Sequence, residues 1–487
     1  MVEVQVDVAN GRNSFALVGL ATGSVREAKE RVRAAIVNSG LEFPLRRLTV
    51  NLAPAGLRKD GTGLDLAIAV GISLAEAERP SPRGVAFVGE LSLDGALRHV
   101  NGVLVLARSL AARGIRELFV PAPDAAEAAL AGGLTVRPCA SLREVLDHLS
   151  GEAPIPPLSA RTPAPPEGEE DGEDDLAEVS GQEAARRSLE VAAAGGHHLL
   201  MTGPPGGGKT MLARCLPGLL PPLTLDQALE VTQIRSVLGE LREGRPLEWR
   251  RPFHAPHHSV STAGLIGGGS GLGRPGEISR AHLGVLFLDE LAEFKPVTLQ
   301  ALRQPLERGR VVIVRGGGAV AYPSTFQLVA ATNPCPCGWA GDPGRTCRCP
   351  PGVVRAYQRA LSGPLLDRID LQVTVPRTAP EALGREAGAE SSRTVRERVL
   401  AARALQLQRQ GMLNSALRAP DLRRWARLQP AARAALERWT RERALSARAF
   451  HRTWRVARTL ADLEAMPELA EHHVLEALGY RLAELAA

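Results

Sequence analysis

The stretch Met201–Thr210, MTGPPGGGKT, constrains the fold most strongly, because it carries the pattern G-x-x-x-x-G-K-[ST] directly after the apolar run His198–Met201. A loop of this kind joins a buried strand to a helix and turns backbone N–H groups around a polyphosphate. Lys209 then reaches the β- and γ-phosphates and Thr210 binds Mg²⁺, so ATP and Mg²⁺ are the predicted cofactors. The predicted nucleotide-binding residues are Gly203, Pro204, Pro205, Gly206, Gly207, Gly208, Lys209, Thr210 and Met211. A plain Gly-Pro turn is the alternative.

Two further strands end in polar residues that suit the same site. The run Gly284–Leu288 is followed by Asp289 and Glu290, and the run Phe326–Ala331 is followed by Thr332 and Asn333. Open parallel sheets bind ligands at the carboxyl ends of their strands. We expect Asp289 to hold Mg²⁺ and Glu290 to orient and deprotonate the attacking water. Taken alone, the two acids could simply begin a helix.

Length and composition narrow the class of protein. The chain has 487 residues, which corresponds to roughly three domains. It contains no run approaching the roughly 20 apolar residues of a membrane span. The start, MVEVQVDVANG, lacks a secretory signal, which predicts a cytoplasmic protein with no membrane partner. Six cysteines in so long a chain form no disulfide framework.

The first domain, residues 1–150, alternates strand-like and helix-like patterns. Its segments Lys59–Val70 and Val88–Val103 resemble the Lon-type protease domain, which has a ribosomal S5 domain 2-like fold. Such proteases use a Ser-Lys dyad, whereas the matching positions here are Gly63 and Leu104. Neither side chain supplies a nucleophile or a base, so we expect a non-proteolytic interaction or DNA-handling domain.

A change of composition marks the main domain boundary. Residues 151–175 are rich in proline and then acidic, which predicts an extended linker. The pattern then becomes that of a nucleotide-binding domain with a parallel sheet over residues 176–377. Residues 378–487 carry apolar residues at helical spacing and are predicted to form a helical lid.

Four cysteines lie close together in the sequence: Cys335, Cys337, Cys347 and Cys349. Their surroundings are rich in Pro and Gly, which predicts a structural Zn²⁺ site, with a redox pair or free thiols as the alternatives. Cys139 and Cys215 are expected to be core residues. The motif His254-x-x-His257-His258 has no evident carboxylate nearby, which favours a structural loop or one packed near a pore over a metal site.

Basic residues are concentrated in the C-terminal third. The net charge is +6, and the segment Ser391–Leu460 contains 17 Arg and four acidic residues. Such an excess would attract a phosphate backbone. A solvated helical surface explains it equally well.

The order of the three strand ends resembles that of AAA+ ATPases, with Asn333 at the sensor-1 position. This resemblance implies that Arg368, in the segment LLDRID, is an arginine finger acting on a neighbouring subunit, and hence that the protein forms a ring. A surface ion pair of Arg368 with Asp367 or Asp370 is the alternative. Arg448, at the start of a lid helix, is implied as the sensor-2 arginine that reaches the γ-phosphate.

A hairpin predicted from Val311–Val314 and Ala319–Tyr322, with a turn at Gly316–Gly318, precedes the sensor strand. It resembles the pre-sensor-1 hairpin of MCM helicases and magnesium chelatases. In the helicases, a basic residue at the tip of this hairpin contacts DNA. Arg315 matches that position, although an ordinary surface hairpin would look similar.

The segments FHAPHHSVSTAGLIGGG, ATNPCPCG and LSGPLLDRIDL, with the phosphate loop, resemble the YifB/ComM family of magnesium-chelatase-like AAA+ proteins over nearly the whole chain. The resemblance implies a homo-hexameric ATPase that binds single-stranded or branched DNA and drives branch migration as a helicase. That activity would serve homologous recombination during natural transformation, with recombination proteins as further partners. The alternatives are a magnesium-chelatase-like motor for metal insertion and an ATP-dependent unfoldase or protease.

Overall fold

The computed structural model is a mixed α/β protein, as predicted. It describes residues 1–20, 23–56, 59, 61–158, 164, 174–242, 244–269, 273–315, 318–361, 365–377, 390–443 and 446–481. Most of the predicted linker, residues 159–163 and 165–173, lies outside these ranges.

The N-terminal 150 residues are built on small sheets covered by helices. In the first sheet, Arg47–Ala53 is the middle strand, antiparallel to Glu3–Ala9 and parallel to Ser14–Val18. A second sheet is parallel, and its strands are Val85–Phe87, Glu117–Pro121 and Thr135–Cys139. The region also contains the strand pair Glu90–Leu91 and Leu97–Arg98, the short 3-10 helix Ala122–Asp124 and the helices Gly23–Asn38, Asp65–Glu76, Val103–Ala111, Ala125–Ala129 and Leu142–Ser150.

The position that matches the lysine of the protease dyad, Leu104, has a structural role in this region. Leu104 is fully buried, and its N–H donates to Glu127 Oε1 at 2.7 Å. The same carboxylate accepts a bond of 2.5 Å from Ser236 Oγ, on the helix Leu225–Leu238 of the following region. Glu127 therefore ties the N-terminal region to the nucleotide-binding region.

The central sheet consists of five described strands, all parallel to their neighbours. In spatial order they are Phe253–His254, Val285–Leu288, Gln327–Thr332, Leu199–Thr202 and Leu371–Thr374. The strands Val285–Leu288 and Gln327–Thr332 are buried along their whole length, which explains why they are continuous apolar runs rather than alternating ones.

Helices and hairpins surround this sheet. The helices are Glu183–Gly195, Lys209–Leu219, Leu225–Leu238, Thr262–Ile266, Glu277–Arg280, Pro296–Ala301, Arg303–Arg308 and Pro351–Leu361. The predicted hairpin is present as Arg310–Arg315 paired with Gly318–Pro323, longer than expected at both ends. A smaller pair joins Gly267–Gly268 to Arg274–Pro275.

The C-terminal region is helical and shares a hydrophobic core with the sheet region. Its helices are Ser392–Gln410, Ala419–Trp425, Pro430–Glu442, Ala447–Leu463 and Glu471–Gly479. Ser392–Gln410 and Ala447–Leu463 both pack against helix Glu183–Gly195. Packing of the lid on this helix fixes where its arginines lie relative to the sheet.

The element boundaries differ from the sequence predictions by a few residues. The strand predicted at His198–Met201 is Leu199–Thr202, because the ladder pairs Leu199 with Val329 and Thr202 with Thr332. The last described helix of the lid, Glu471–Gly479, ends before the predicted domain end at residue 487, and residues 482–487 are outside the described part of the chain.

Candidate nucleotide-binding site

The phosphate loop connects strand Leu199–Thr202 to helix Lys209–Leu219 at the carboxyl edge of the sheet. Its first glycine is packed against backbone, since a Cβ atom at Gly203 would lie 2.0 Å from Val375 O. The Gly203 N–H donates to Thr332 O at 3.1 Å. The loop is therefore held by the two strands that flank Leu199–Thr202.

Lys209, the charged residue of this loop, is buried, with 8% of its surface exposed. Its Nζ donates to Gly203 O at 2.6 Å, to Pro204 O at 2.9 Å and to Asn333 Oδ1 at 3.2 Å. Burial lowers the pKa of Lys209, while the charges of Asp289 and Glu290 oppose that shift. An ammonium in this position has oxygen partners that phosphate oxygens can replace.

Thr210 and Asp289 meet beside the lysine. Thr210 Oγ1 donates to Asp289 Oδ2 at 3.0 Å, and the Glu290 N–H donates to Asp289 Oδ1 at 2.9 Å. A hydroxyl and a carboxylate are ligands that suit Mg²⁺ next to phosphate groups. The structure thus brings Lys209, Thr210, Asp289 and Asn333 into one cluster.

Glu290 lies at the edge of this cluster in an unusual backbone conformation. Its φ is 51°, in the left-handed region, and about half of its side chain is exposed. A non-glycine residue in this region costs of order 1–3 kcal/mol and persists where the surroundings enforce it. Its Oε2 lies 3.0 Å from His258 Nδ1. The strand end thus directs Glu290 toward a histidine.

Two histidines of the His254-x-x-His257-His258 motif contact carboxylates that the sequence did not indicate. His254 Nδ1 lies 3.2 Å from Glu277 Oε2, and the His254 contact lowers the pKa of Glu277. The expectation that the histidine motif has no carboxylate nearby is therefore wrong, since Glu277 and Glu290 come from distant segments. Within the described chain, the motif does not form a three-ligand cluster that could hold a metal.

Arg368 lies at the opposite edge of the sheet. It precedes strand Leu371–Thr374, whose register pairs Leu371 with Leu199 and Thr374 with Thr202. Arg368 therefore lies beyond the amino ends of the strands, whereas Lys209 lies beyond their carboxyl ends. Four strand residues at about 3.3 Å each separate the two edges by roughly 13 Å. Arg368 forms an ion pair with Glu307.

Arg448 shares the amino edge with Arg368. Its Nη1 lies 3.1 Å from Asp367 Oδ2. Arg452, one turn further along the helix, donates to Leu366 O and Ile369 O at 3.1 Å each, which anchors this helix beside the Arg368 turn. Arg448 therefore lies at the edge opposite Lys209 within one chain, and its contact with a γ-phosphate stays a prediction.

A cavity of about 850 Å³ opens at this amino edge, between the sheet and the lid. Its walls are strongly basic and include Arg251, Arg368, Arg403, Arg418, Arg448 and Arg455. Burial lowers the pKa of Arg403 to about 9, with Arg251 contributing to the shift. The two edges of the sheet therefore differ in charge as well as in position.

The basic excess of Ser391–Leu460 is partly internal to the fold. Arg409 forms a two-pronged pair with Asp462 at 2.6 and 2.9 Å, and Arg458 lies 2.9 Å from the same carboxylate. Arg398 pairs with Glu190 and Glu390. These arginines hold the lid together, so the count of basic residues overstates the charge available to a polyanion.

The four clustered cysteines converge on one point. The Sγ of Cys335 lies 3.4 Å from that of Cys337 and 3.7 Å from that of Cys347, and the Cys337–Cys347 separation is 3.6 Å. All four Sγ atoms, including that of Cys349, lie within 4.8 Å of one another. A tetrahedron with Zn–S bonds of about 2.3 Å has edges of about 3.8 Å, so the cluster fits that ion.

The two isolated cysteines are buried, as expected of core residues. Cys139 is 1% exposed and Cys215 is fully buried. Burial raises the pKa of each thiol to about 12. Neither cysteine is therefore a reactive thiol at neutral pH.

The predicted DNA contact, Arg315, ends the first strand of the hairpin. Its side chain and the turn residues Gly316 and Gly317 lie outside the described residues. On the same strand, Val311 and Ile313 are buried in the core, whereas Val312 is 47% exposed and Val314 is 73% exposed. The described helices include none that is long and apolar enough to cross a bilayer.

Comparison with known families covers almost the whole chain. The family described as "Magnesium chelatase, subunit ChlI" matches residues 175–383. The family "Subunit ChlI of Mg-chelatase" matches residues 4–124, and "Magnesium chelatase, subunit ChlI C-terminal" matches residues 389–481.

Curated relatives are similar over nearly their full length. An uncharacterized protein of Mycobacterium tuberculosis is 44% identical, with 99% of this chain and 95% of the relative covered. The competence protein ComM of Haemophilus influenzae and the uncharacterized protein YifB of Escherichia coli are each 42% identical. For both, 99% of this chain and 94% of the relative are covered.

Proposed function

Since the chain belongs to the YifB/ComM family of magnesium-chelatase-like AAA+ ATPases, we propose that it is a hexameric, DNA-dependent motor. The observation that carries the proposal is the separation of Arg368 from Lys209 across the sheet. An arginine that completes catalysis from the amino edge must act on the carboxyl edge of another subunit. Head-to-tail contacts of this kind close into a ring.

The carboxyl edge would bind ATP and Mg²⁺. Lys209 would hold β- and γ-phosphate oxygens, and Asn333, which is already its hydrogen-bond partner, would contact the γ-phosphate. Thr210 and Asp289 would hold the Mg²⁺, which supplies charge neutralisation when bound. Glu290 would accept a proton from the attacking water after its oxygen has exchanged His258 for that water.

The amino edge would complete a neighbour's site. Arg368 and Arg448 lie together there, tied by Glu307 and Asp367, which are both on the surface. Positive charge presented by these side chains would stabilise the negative charge that spreads over the transferring phosphoryl group. The proposed roles therefore assign both arginines to the adjoining subunit's nucleotide.

DNA would be the moving substrate. The chain has a pI of about 9.3, and Val314, the neighbour of Arg315 in the hairpin, is 73% exposed. The similarity to a protein named for competence supports a role in natural transformation. That role would be branch migration by a helicase during recombination of incoming DNA, with recombination proteins as partners. Backbone contacts would make binding salt-sensitive and tolerant of sequence.

The cysteine cluster would hold one structural Zn²⁺. Four thiolates fill the coordination sphere and leave no open position for catalysis. Elemental analysis of the purified protein should give one zinc per chain. Protein that contains no zinc after purification in zinc-supplemented medium would contradict this assignment.

A metal-insertion motor is the second candidate, because all three matched families are named for the magnesium chelatase subunit. The two candidates differ in what accelerates ATP hydrolysis. Under our proposal, single-stranded DNA raises turnover several-fold and the protein unwinds forked or four-way DNA only with ATP. Stimulation by a partner chelatase subunit, with no response to DNA, would favour the alternative.

The Arg315→Ala variant tests the DNA contact, with Arg310→Ala at the base of the same hairpin as the matched control. We expect Arg315→Ala to weaken DNA binding and DNA stimulation while DNA-free turnover is unchanged. Equal loss of DNA-free turnover in Arg315→Ala would remove the proposed pore contact.

A further inference from the structure

The cysteine cluster continues directly from the catalytic edge of the sheet. Strand Gln327–Thr332 is followed by Asn333, the partner of Lys209, and Cys335 comes after a single proline. Cys335 is fully buried. We refer to residues 335–349 as the cysteine knuckle. The position of Asn333 is therefore set from one side by the strand and from the other by the knuckle.

The knuckle also lies against the phosphate loop. Gly338 has a φ of 82°, and a Cβ atom at this position would come within 2.4 Å of Pro205 Cδ and 2.8 Å of its Cγ. Only a glycine allows the backbone of the knuckle to approach the Pro205 ring so closely. This contact joins the segment between Cys337 and Cys347 to the phosphate loop.

A second path connects the knuckle to the same loop. The Trp339 ring lies 4.4 Å from the Arg345 guanidinium and 5.6 Å from that of Arg377. The residue before Arg377, Pro376, accepts a 2.6 Å hydrogen bond from Gln182 Nε2, which also donates to Gly207 O at 3.3 Å. The knuckle thus contacts the phosphate loop directly at Pro205 and indirectly at Gly207.

The knuckle has little else to hold its shape. Its sequence, CPCGWAGDPGRTCRC, is rich in Gly and Pro, and its only large apolar side chain is Trp339. The described hydrogen bonds within it include Ala340 N–H to Cys335 Sγ at 3.3 Å and Cys349 N–H to Cys347 Sγ at 3.4 Å. Loops that cannot build an apolar core depend on a bound metal for their fold.

We propose that a metal held by Cys335, Cys337, Cys347 and Cys349 fixes the phosphate loop and Asn333 in their nucleotide-binding positions, so that nucleotide affinity depends on the zinc centre. The inference rests on the proposed Zn²⁺ site. It adds that the bound metal stabilises the ATP-binding position of the phosphate loop as well as the fold of the knuckle. The cysteines are positioning residues, because they act through Pro205, Gly207 and Asn333 and not on the phosphates.

The test compares full-length variants in zinc content and nucleotide affinity. Cys349→Ser removes one ligand, Cys349→His replaces it with another zinc ligand, and Cys139→Ser is the control for changing a buried cysteine elsewhere. Zinc is measured by elemental analysis, and affinity by titration with a fluorescent ATP analogue in excess Mg²⁺. Circular dichroism and thermal melting verify that each variant is folded.

We expect Cys349→Ser to lose zinc and to bind the analogue about tenfold more weakly or worse, a loss of about 1.4 kcal/mol in binding free energy, because the phosphate loop and Asn333 lose the support of the knuckle. Cys349→His should retain zinc and most of the affinity, and Cys139→Ser should match the wild type. Trp339→Ala should keep zinc yet bind the analogue more weakly, because it removes one of the two paths.

A folded, zinc-free Cys349→Ser protein that binds the analogue as tightly as the wild type would overturn the inference. That outcome leaves the zinc site and the ATPase proposal intact. Treating wild-type protein with a zinc-selective chelator gives an independent measurement that requires no substitution, and unchanged affinity after zinc removal would again contradict the coupling. A wild type without zinc would instead contradict the zinc site itself.

Discussion

The two edges of the central parallel sheet carry different residues of the proposed ATPase mechanism. The carboxyl edge carries two hydrogen-bonded pairs, Lys209 with Asn333 and Thr210 with Asp289. The amino edge carries Arg368 and Arg448 beside a basic cavity. The phosphate loop lies at the first edge, whereas Arg368 and Arg448, the two arginines implied to act on the nucleotide, lie at the second. Each chain is therefore expected to need a neighbour for hydrolysis.

Among the substitutions that test the difference between the two edges, the largest change in ATP turnover is expected at Arg368. Arg368→Ala should lower ATP turnover by a factor of about 10³–10⁵, the range for an arginine finger, with little change in nucleotide affinity. Steady-state hydrolysis and analogue titration measure the two quantities. Glu307→Gln, which removes the partner within the chain but keeps Arg368, is the control. Equal loss in Glu307→Gln would show that the ion pair itself is required.

On the carboxyl edge, Glu290→Gln should lower turnover by a factor of about 10²–10⁴, as expected for loss of a general base. ATP binding should persist, because Lys209 and Thr210 are unchanged. Glu293→Gln, an exposed carboxylate three residues away, is the matched control. Near-normal turnover in Glu290→Gln would refute its role in activating water.

A smaller effect is expected at His258. Because His258 Nδ1 contacts the Glu290 carboxylate, His258→Ala should free that carboxylate for water and raise DNA-free turnover a few-fold. Stimulation by DNA should shrink correspondingly. His257→Ala changes the adjacent ring, which bonds to Ser259, and should leave both rates near the wild type. If His258→Ala lowers DNA-free turnover, His258 supports Glu290 in catalysis and does not restrain it.

The smallest expected effect is a change in the pH dependence of the free energy of unfolding, caused by His198 at the amino edge. Burial lowers the pKa of His198 to about 4, from an ordinary value of 6.5. Between these values the unfolded chain binds a proton at this site that the folded chain does not bind. The free energy of unfolding should therefore fall as pH drops from 6.5 toward 4, by at most about 1.4 kcal/mol per pH unit for this group.

His198→Asn offers the comparison, since an Asn oxygen can accept the Leu328 N–H that now donates to His198 Nδ1. Denaturant unfolding of both proteins from pH 7 to pH 5 should show a shallower acid slope in the variant. Identical slopes would mean that His198 does not titrate as its burial implies.

Much of the carboxyl edge could be predicted from sequence, because each part is local. The phosphate loop, the Asp289–Glu290 pair and the polar residue Asn333 each follow an apolar run, and the topology of a parallel sheet brings strand ends together. The family also followed from sequence. The domain boundaries and the catalytic roles stay predictions.

The contacts that sequence reasoning missed join segments far apart in the chain. Nothing near His258 indicates that Glu290 approaches it, and nothing near Gly338 indicates Pro205. Arg448 was assigned to the nucleotide from its place in a lid helix. Its actual neighbour, Asp367, depends on how Arg452 anchors that helix to the Arg368 turn. Packing between distant elements, and not local pattern, decides these pairs.

The most direct measurement mixes two inactive variants, Lys209→Ala and Arg368→Ala. If the arginine acts on the neighbouring subunit, an Arg368→Ala subunit supplies an intact phosphate loop and an adjacent Lys209→Ala subunit supplies the arginine. Random equimolar rings should then recover about a quarter of the wild-type ATP turnover per subunit. Lys209→Ala mixed with Glu290→Gln, two lesions at the same edge, should recover none. Absence of recovery at every ratio of Lys209→Ala to Arg368→Ala, in rings shown to exchange subunits, would contradict the account.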